Sequence, residues 1–253
     1  MFVSFRSLVD RQGPAPIGAF VKLPAIEIVE ILKLAGFDFI VLDVEHSMLT
    51  LAEVNHLVAV AQGLQMPAIV RLPDHGYADA QRVLDAGAAG IMIPHVNEPG
   101  AAQAVTSQAL HPPRGTRGSG SGMRAGDWGT SGRTEYVRRG AEEAVRIPMI
   151  EEPAGAAAVE AICDVPGVDA LFFGPGDMSL AMGVPADDDA VLAAMGRVAR
   201  VADERGIAAG TTASGAASAR RRLEMGFRFL LVGNDTGMLL RSARTVVDSI
   251  RES

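Results

Sequence analysis

The stretch FDFIVLDVEHSMLTLAEVNHLVAVAQGLQMPAIVRL (37–72) holds one complete structural unit and the start of the next. FDFIVLDV is a short apolar run rich in β-branched and aromatic residues. LAEVNHLVAVAQG then spaces its apolar residues with a helical period and ends in glycine, and PAIVRL opens the next run. The same alternation continues in both directions, through IGAFVKL (17–23), GIMIPHV (90–96), RIPMIE (146–151), VDALFFG (168–174), GIAAGT (206–211) and FRFLLVG (227–233). Between these runs lie helical patterns such as AIEIVEILKLAG, ADAQRVLDAG, GAAAVEAICDV and DDAVLAAMGRVARVADERG. Runs this continuously apolar are buried on both faces, as parallel strands are. Eight strand-helix units predict an α/β chain forming a single domain over 1–253, a (β/α)8 TIM barrel. An open doubly wound sheet is the structural alternative, but no G-x-G-x-x-G follows the first run.

One long irregular stretch, HPPRGTRGSGSGMRAGDWGTSGRTEY (111–136), interrupts the rhythm between the fourth and fifth strands. Loops of this length inside a compact domain are usually functional. It reads as a substrate-side lid or interface loop inserted in the barrel, because the alternation resumes unchanged after it.

Composition narrows the function classes. Of 253 residues 48% are hydrophobic, 21% charged and 5% aromatic, which excludes disorder, coiled coil and collagen. A net charge of -7 leaves no basic face for a phosphate backbone or an acidic lipid surface, so neither nucleic acid nor membrane is expected as a partner. No uninterrupted apolar stretch approaches the ~20 residues that cross a bilayer. The single cysteine, Cys163, fits a reducing compartment and falls on an apolar helical stripe. The first residues show no export pattern, and a cytoplasmic location is expected. Lys22 and Lys33 are the only lysines, so Schiff-base chemistry has two candidates at most.

In a barrel the active site gathers at the carboxyl ends of the strands, so polar residues that end an apolar run are the candidates. The second run ends in Asp43-Val44-Glu45-His46, the third in Arg71, the fifth in Glu151-Glu152 and the sixth in Gly174-Pro175-Gly176-Asp177. Taken singly, such acids often cap the following helix. Together they converge on one mouth. Glu151 and Asp177, at the ends of adjacent strands, bring two carboxylates to one cation, and an all-oxygen set selects a hard or borderline metal: Mg2+, Mn2+ or Co2+. Open metal positions would accept a 2-oxo acid and stabilise its enolate. His46, oriented and made more basic by Asp43, would move protons, and Arg71 would neutralise a carboxylate or the enolate oxygen. Lys22 lies on the Phe20 side of the first strand, where it can pair with an acid, receive an anionic substrate tail or form a Schiff base. Arg114 and Arg117, with Arg124, could bind a substrate anion or make interface ion pairs. His95 is expected in a supporting or surface position.

These residues resemble the HpcH/HpaI class II 2-oxo-acid aldolases over nearly the whole chain. The phrases that carry the resemblance are GFDFIVLDVEHSML (36–49), VLDAGAAGIMIPHV (83–96), HPPRGTRG (111–118), MIEEPAGAAAVEAICDVPGVDALFFGPGDMSLAMG (149–183) and GFRFLLVGNDTGML (226–239). The resemblance implies that Glu151 and Asp177 are the metal pair, that His46 with Asp43 is the base, that Arg71 contacts pyruvate, and that backbone at Gly176 and Asp177 cradles its carboxylate. It implies reversible aldol chemistry, in which a 4-hydroxy-2-oxo acid is cleaved to pyruvate and an aldehyde through a metal-bound enolate. It also implies a homo-oligomer, often a hexamer. Met149, where the family often has Gln, Lys22, where a small residue is usual, and Phe20, often Trp, set this chain apart on the aldehyde side. The alternatives are a CoA-thioester lyase of the citrate lyase β or malyl-CoA type, a decarboxylase or carbon-bond-forming enzyme using the same enolate, and a barrel that only binds a metabolite.

Overall fold

The apolar runs become the strands β1 Ile17–Val21, β2 Phe39–Asp43, β3 Ala68–Arg71, β4 Gly90–Ile93, β5 Val145–Ile150, β6 Ala170–Phe173, β7 Ala208–Thr212 and β8 Phe229–Asn234. A computed structural model describes residues 4–10, 13–73 and 77–252. Within them each strand pairs in parallel with its neighbour in sequence, and β8 returns to β1, closing the barrel. Helices connect the strands on the outside, as the predicted (β/α)8 TIM barrel requires.

Strand pleating divides the core in two. Alternate residues such as Phe39 and Val41 of β2, Ile69 of β3, Ile147 and Met149 of β5 and Phe229 of β8 fill the barrel interior. Their neighbours, including Ile40, Leu42, Val70 and Ile150, face the surrounding helices. The short helix Phe5–Asp10, for which the sequence shows no comparable signal, plugs the amino-terminal end of the barrel. Phe5 meets the rings of Phe39 and Phe229 edge-on, at 4.9 and 5.2 Å. Those rings fit because the facing strands carry Gly18 and Gly210, where a Cβ would lie 2.5 Å and 2.1 Å from a Phe ring carbon.

The 111–136 segment departs from its expected role. Arg124–Gly129 is a 3-10 turn, and a helix begins at Arg133. Instead of covering the strand ends, the segment braces the helices on the barrel flank. Arg117, expected to bind substrate, is buried and pairs with Asp85, while Tyr136 donates its hydroxyl to the same carboxylate at 2.7 Å. Asp85 closes the helix leading into β4, so this cluster stands toward the end of the barrel opposite the strand carboxyl termini. Arg117 is therefore a strut, and the substrate-side lid is corrected to a clamp. Arg124 likewise turns away from the mouth, toward Asn55 and the Trp128 ring.

Cys163 is buried, and burial pushes its thiol up to about 11, which suits a core residue and not a nucleophile. Among the described residues no helix is long and apolar enough to cross a membrane. Gly210→Ala forces a methyl group against the buried Phe229 ring and is expected to cost about 1–3 kcal/mol. The measurement is the shift in the urea unfolding midpoint.

Candidate active site

Strand parity decides which polar residues crown the barrel interior. Phe39 and Val41 point inward, so Asp43 does too; Ile69 is followed by Arg71, Gly18 and Phe20 by Lys22, and Met149 by Glu151. Asp43 and Arg71 are also direct partners in the β2–β3 register. Their side chains meet as a fork, with Arg71 Nε and Nη2 donating to the two carboxylate oxygens of Asp43 at 3.0 and 2.8 Å. Asp43 is wholly buried and takes two further contacts, from the His46 backbone N–H at 3.1 Å and from Lys22 Nζ at 3.3 Å. Burial alone would raise its pKa, but Arg71, the His46 N–H and Lys22 together hold the carboxyl below the ordinary value.

This arrangement alters one sequence expectation. Asp43 does not touch the His46 ring; its contact is to the His46 backbone. The imidazole is half exposed at the mouth, and its Nε2 lies 3.6 Å from Glu45. Glu45 also holds the third guanidinium nitrogen, Arg71 Nη1, at 3.0 Å. Two acids thus fix Arg71 from two sides, while its plane stacks on Phe20 with Cζ 4.6 Å from the ring centroid.

Across the mouth the carboxylates crowd. His95, just past β4, adopts a left-handed backbone at φ +54°, which aims its N–H at Glu151 at 2.7 Å. Its ring bridges Glu152 at 3.0 Å and Glu45 at 3.5 Å. Burial opposes charging of this ring, yet the surrounding Glu151, Glu152 and Glu45 raise its pKa above the ordinary value. Glu151 is almost fully buried; burial, with the charges of Asp177 and Glu45 added, carries it up to about 7 against the pull of His95. Burial likewise raises Glu45, against the opposing charge of Arg71. Glu45 receives no role in the sequence reading, and His95, expected in a supporting or surface position, proves to support the mouth by bridging its acids. The only signal is position, directly after an apolar run.

A divalent cation suits this corner. Burial first, and then the charge of the second carboxylate, Asp177, disfavour charge on Glu151. The glycine at 174 keeps the approach open, since a Cβ there would lie 2.8 Å from Glu151 Oε2. Among the described residues no group of three or more His, Cys, Asp and Glu side chains is placed to hold a metal ion, so Glu151 and Asp177 alone would leave positions open on a cation. Asp177 stands in the first turn of the helix Pro175–Met182, whose leading N–H groups at Gly176 and Asp177 have no partner within the helix. On the other side a cavity of about 420 Å3 is lined by Phe20, Lys22, Arg71, Thr212, Asn234 and Arg241, among others. Direct contacts join Asp43, His46, Arg71, Phe20 and Lys22, and Glu151 with Asp177 and Gly176 ends the strands across the mouth, while Met149 stays in the core and Arg117 lies elsewhere.

Residues 16–242 match the family model described as HpcH/HpaI aldolase/citrate lyase. The hydroxypyruvate/pyruvate aldolase of Paraburkholderia phytofirmans is 33% identical over 242 residues, covering 92% of each chain. A 4-hydroxy-2-oxovalerate aldolase of Novosphingobium aromaticivorans is 33% identical over 95% of this chain and 91% of its own. The crystal structure of an HpcH/HpaI aldolase from Desulfitobacterium hafniense superposes with a TM-score of 0.90 at 32% identity, covering 95% of this chain and 94% of that one.

Asp43→Asn is expected to lower stability by about 3 kcal/mol at neutral pH, because two cations lose their buried countercharge. An acid with a depressed folded pKa stabilises above its unfolded value, near 4, and that contribution fades as pH falls further. The gap between wild type and Asp43→Asn is therefore expected to narrow below about pH 4 in denaturant titrations.

Proposed function

The chain belongs to the HpcH/HpaI aldolase/citrate lyase family, and on that premise we propose that it is a divalent-metal-dependent carbon-carbon lyase. It reversibly cleaves a 4-hydroxy-2-oxo acid to pyruvate, or a related 2-oxo acid, and an aldehyde. The observation that carries this reading is the division of one barrel mouth between a carboxylate pair and an arginine clamped by two acids. Glu151 and Asp177 would hold Mg2+, Mn2+ or Co2+, which would supply Lewis acidity for enolising the 2-oxo acid.

The chain's own groups do the rest. The N–H groups of Gly176 and Asp177 at a helix start receive the substrate carboxylate. Arg71 is held rigid by Asp43 and Glu45, and it opposes the negative charge that develops on the keto oxygen when a C3 proton leaves. Its fixed position means that little reorganisation accompanies the reaction. His46, the half-exposed base at the mouth, takes the proton from C3, or from the 4-hydroxyl in the cleavage direction, and returns it afterwards. Phe20 packs under Arg71 and excludes water from one face of the guanidinium. Lys22 is engaged with Asp43, which supports an electrostatic role over a Schiff base.

We also read the chain as one subunit of a homo-oligomer, a hexamer by family resemblance. The carboxyl-terminal helix Asp235–Arg251 leaves Leu239, Leu240, Val246, Val247 and Ile250 exposed, a stripe that a second copy would cover. Sedimentation equilibrium is expected to give a mass six times that of the chain, and a monomer at micromolar concentration contradicts the oligomer.

Chelation is expected to abolish aldol cleavage, with Mg2+, Mn2+ or Co2+ restoring it; full activity in excess chelator contradicts the function. Glu151→Ala is expected to lose cation binding by calorimetry. His46→Ala is expected to keep it while slowing turnover about 10²- to 10⁴-fold. Borohydride added with pyruvate is expected to leave Lys22 unmodified in the peptide mass map.

A further inference from the structure

His95 is where the two halves of the mouth touch: its backbone N–H meets Glu151 of the carboxylate pair, and its ring meets Glu45 beside Arg71. Chain geometry explains the first contact. β4 ends at Ile93, and Pro94 follows with its φ restricted and no N–H to give. His95 then turns left-handed, at φ +54°, and Val96 returns to donate its N–H to the Met149 carbonyl of β5 at 3.2 Å. The turn is thereby held against the strand that leads into Glu151, and within it the His95 N–H donates to Glu151 Oε1 at 2.7 Å. A left-handed backbone is uncommon outside glycine and persists where its surroundings over-determine it. Here two consecutive N–H groups dock on neighbouring parts of one strand end.

The ring makes a separate set of contacts. Nδ1 lies 3.0 Å from Glu152 Oε1, and Nε2 lies 3.5 Å from Glu45 Oε1. Glu45 gains most from this. Its Oε2 is buried and stands 3.0 Å from Arg71 Nη1, yet without the alignment of a hydrogen bond, so charge attraction and not a directed bond aims it there. Steadying its other oxygen steadies the whole carboxylate. Arg71 is already gripped on its opposite side by the fork from Asp43, so the His95 ring governs the looser of its two anchors.

We propose that His95 is a positioning residue with two separable tasks: its left-handed backbone aims Glu151 at the cation, and its ring steadies Glu45 behind Arg71. This deepens the aldolase reading and rests on it. Neither task requires His95 to touch the substrate. Groups that orient a metal-binding carboxylate from outside change cation affinity or activity about 10- to 100-fold when lost. Loss of the ring is felt instead as charge develops on the keto oxygen, because a looser Arg71 has to reorganise at that moment. The tasks can be separated by substitution. Glycine accepts the left-handed turn and deletes the ring, glutamine keeps a donor of similar reach, and the branched Cβ of valine opposes a positive φ.

Two measurements on the intact chain read the two tasks: calorimetric binding of Mn2+ alone, and Mn2+-dependent exchange of deuterium into the methyl group of pyruvate. In His95→Gly the Mn2+ Kd is expected to stay within about threefold of wild type, while kcat for exchange falls about tenfold and KM for pyruvate moves less than about threefold. His95→Gln is expected to recover part of that rate. In His95→Val the Mn2+ Kd is expected to rise about tenfold or more, and His95→Ala makes the same comparison should the valine variant fail to fold. In a Glu45→Gln background His95→Gly is expected to slow exchange by less than about twofold, since the ring acts through Glu45. A wild-type kcat in His95→Gly, or its full loss repeated on top of Glu45→Gln, overturns the role of the ring. A wild-type Mn2+ Kd in folded His95→Val and His95→Ala overturns that of the backbone. If the wild type exchanges with no cation, the aldolase reading falls and the role of the ring with it, while the Mn2+ titrations still decide the backbone; a wild type that binds no Mn2+ removes the backbone's task as well.

Discussion

The buried fork between Asp43 and Arg71 is the contact on which the rest of the mouth depends. The two residues end neighbouring strands in direct register and share the inward parity of the apolar layers beneath them. Nothing apolar could replace them without losing four contacts on one carboxylate: the two from Arg71, the His46 N–H and the Lys22 ammonium. A charge this deeply buried is tolerated because it is paired and hydrogen-bonded throughout. The same carboxylate therefore fixes the turn that presents His46, the plane of Arg71 that rests on Phe20, and the position of Lys22 at the edge of the cavity.

Charge is sorted around that hub. Glu45, Glu151 and Glu152 gather around His95, with the charge of Asp177 reaching Glu151, while Lys22, Arg71 and Arg241 line the neighbouring cavity. The acidic side carries raised carboxyl pKa values because burial and mutual repulsion oppose ionisation there. The basic side suits anions. A 2-oxo acid offers a keto oxygen and a carboxylate close together, which matches a mouth that holds a carboxylate pair, a helix start and a clamped arginine.

Much of this was legible in the sequence because it follows from periodicity. Each apolar run became a strand, and each polar residue ending a run on the inward parity reached the mouth, as Asp43, Arg71, Lys22 and Glu151 did. What escaped depends on backbone geometry that residue types do not reveal. His95 bridges three acids because its backbone is left-handed, and nothing in Pro94-His95 announces that turn. Asp43 was expected against the His46 ring, yet the strand register delivers it to Arg71. The 111–136 segment read as a substrate-side lid or interface loop because the strand-helix alternation resumes unchanged after it. It follows a helix, so it starts at the other end of the barrel, and Arg117 finds Asp85 there. The helix Phe5–Asp10 was missed because its three buried side chains are too few for a helical period to stand out.

The central claim is that this mouth draws a proton from C3 of a 2-oxo acid with the help of a divalent cation and the clamped Arg71. Incorporation of deuterium into the methyl group of pyruvate, followed by NMR without any aldehyde, isolates that step. Exchange is expected with Mg2+ or Mn2+, to vanish with excess chelator and in Glu151→Ala, and to slow at least tenfold in Asp43→Asn, where the clamp is loosened. Exchange that persists in chelator at the same rate, or an absence of exchange with every metal, would contradict it.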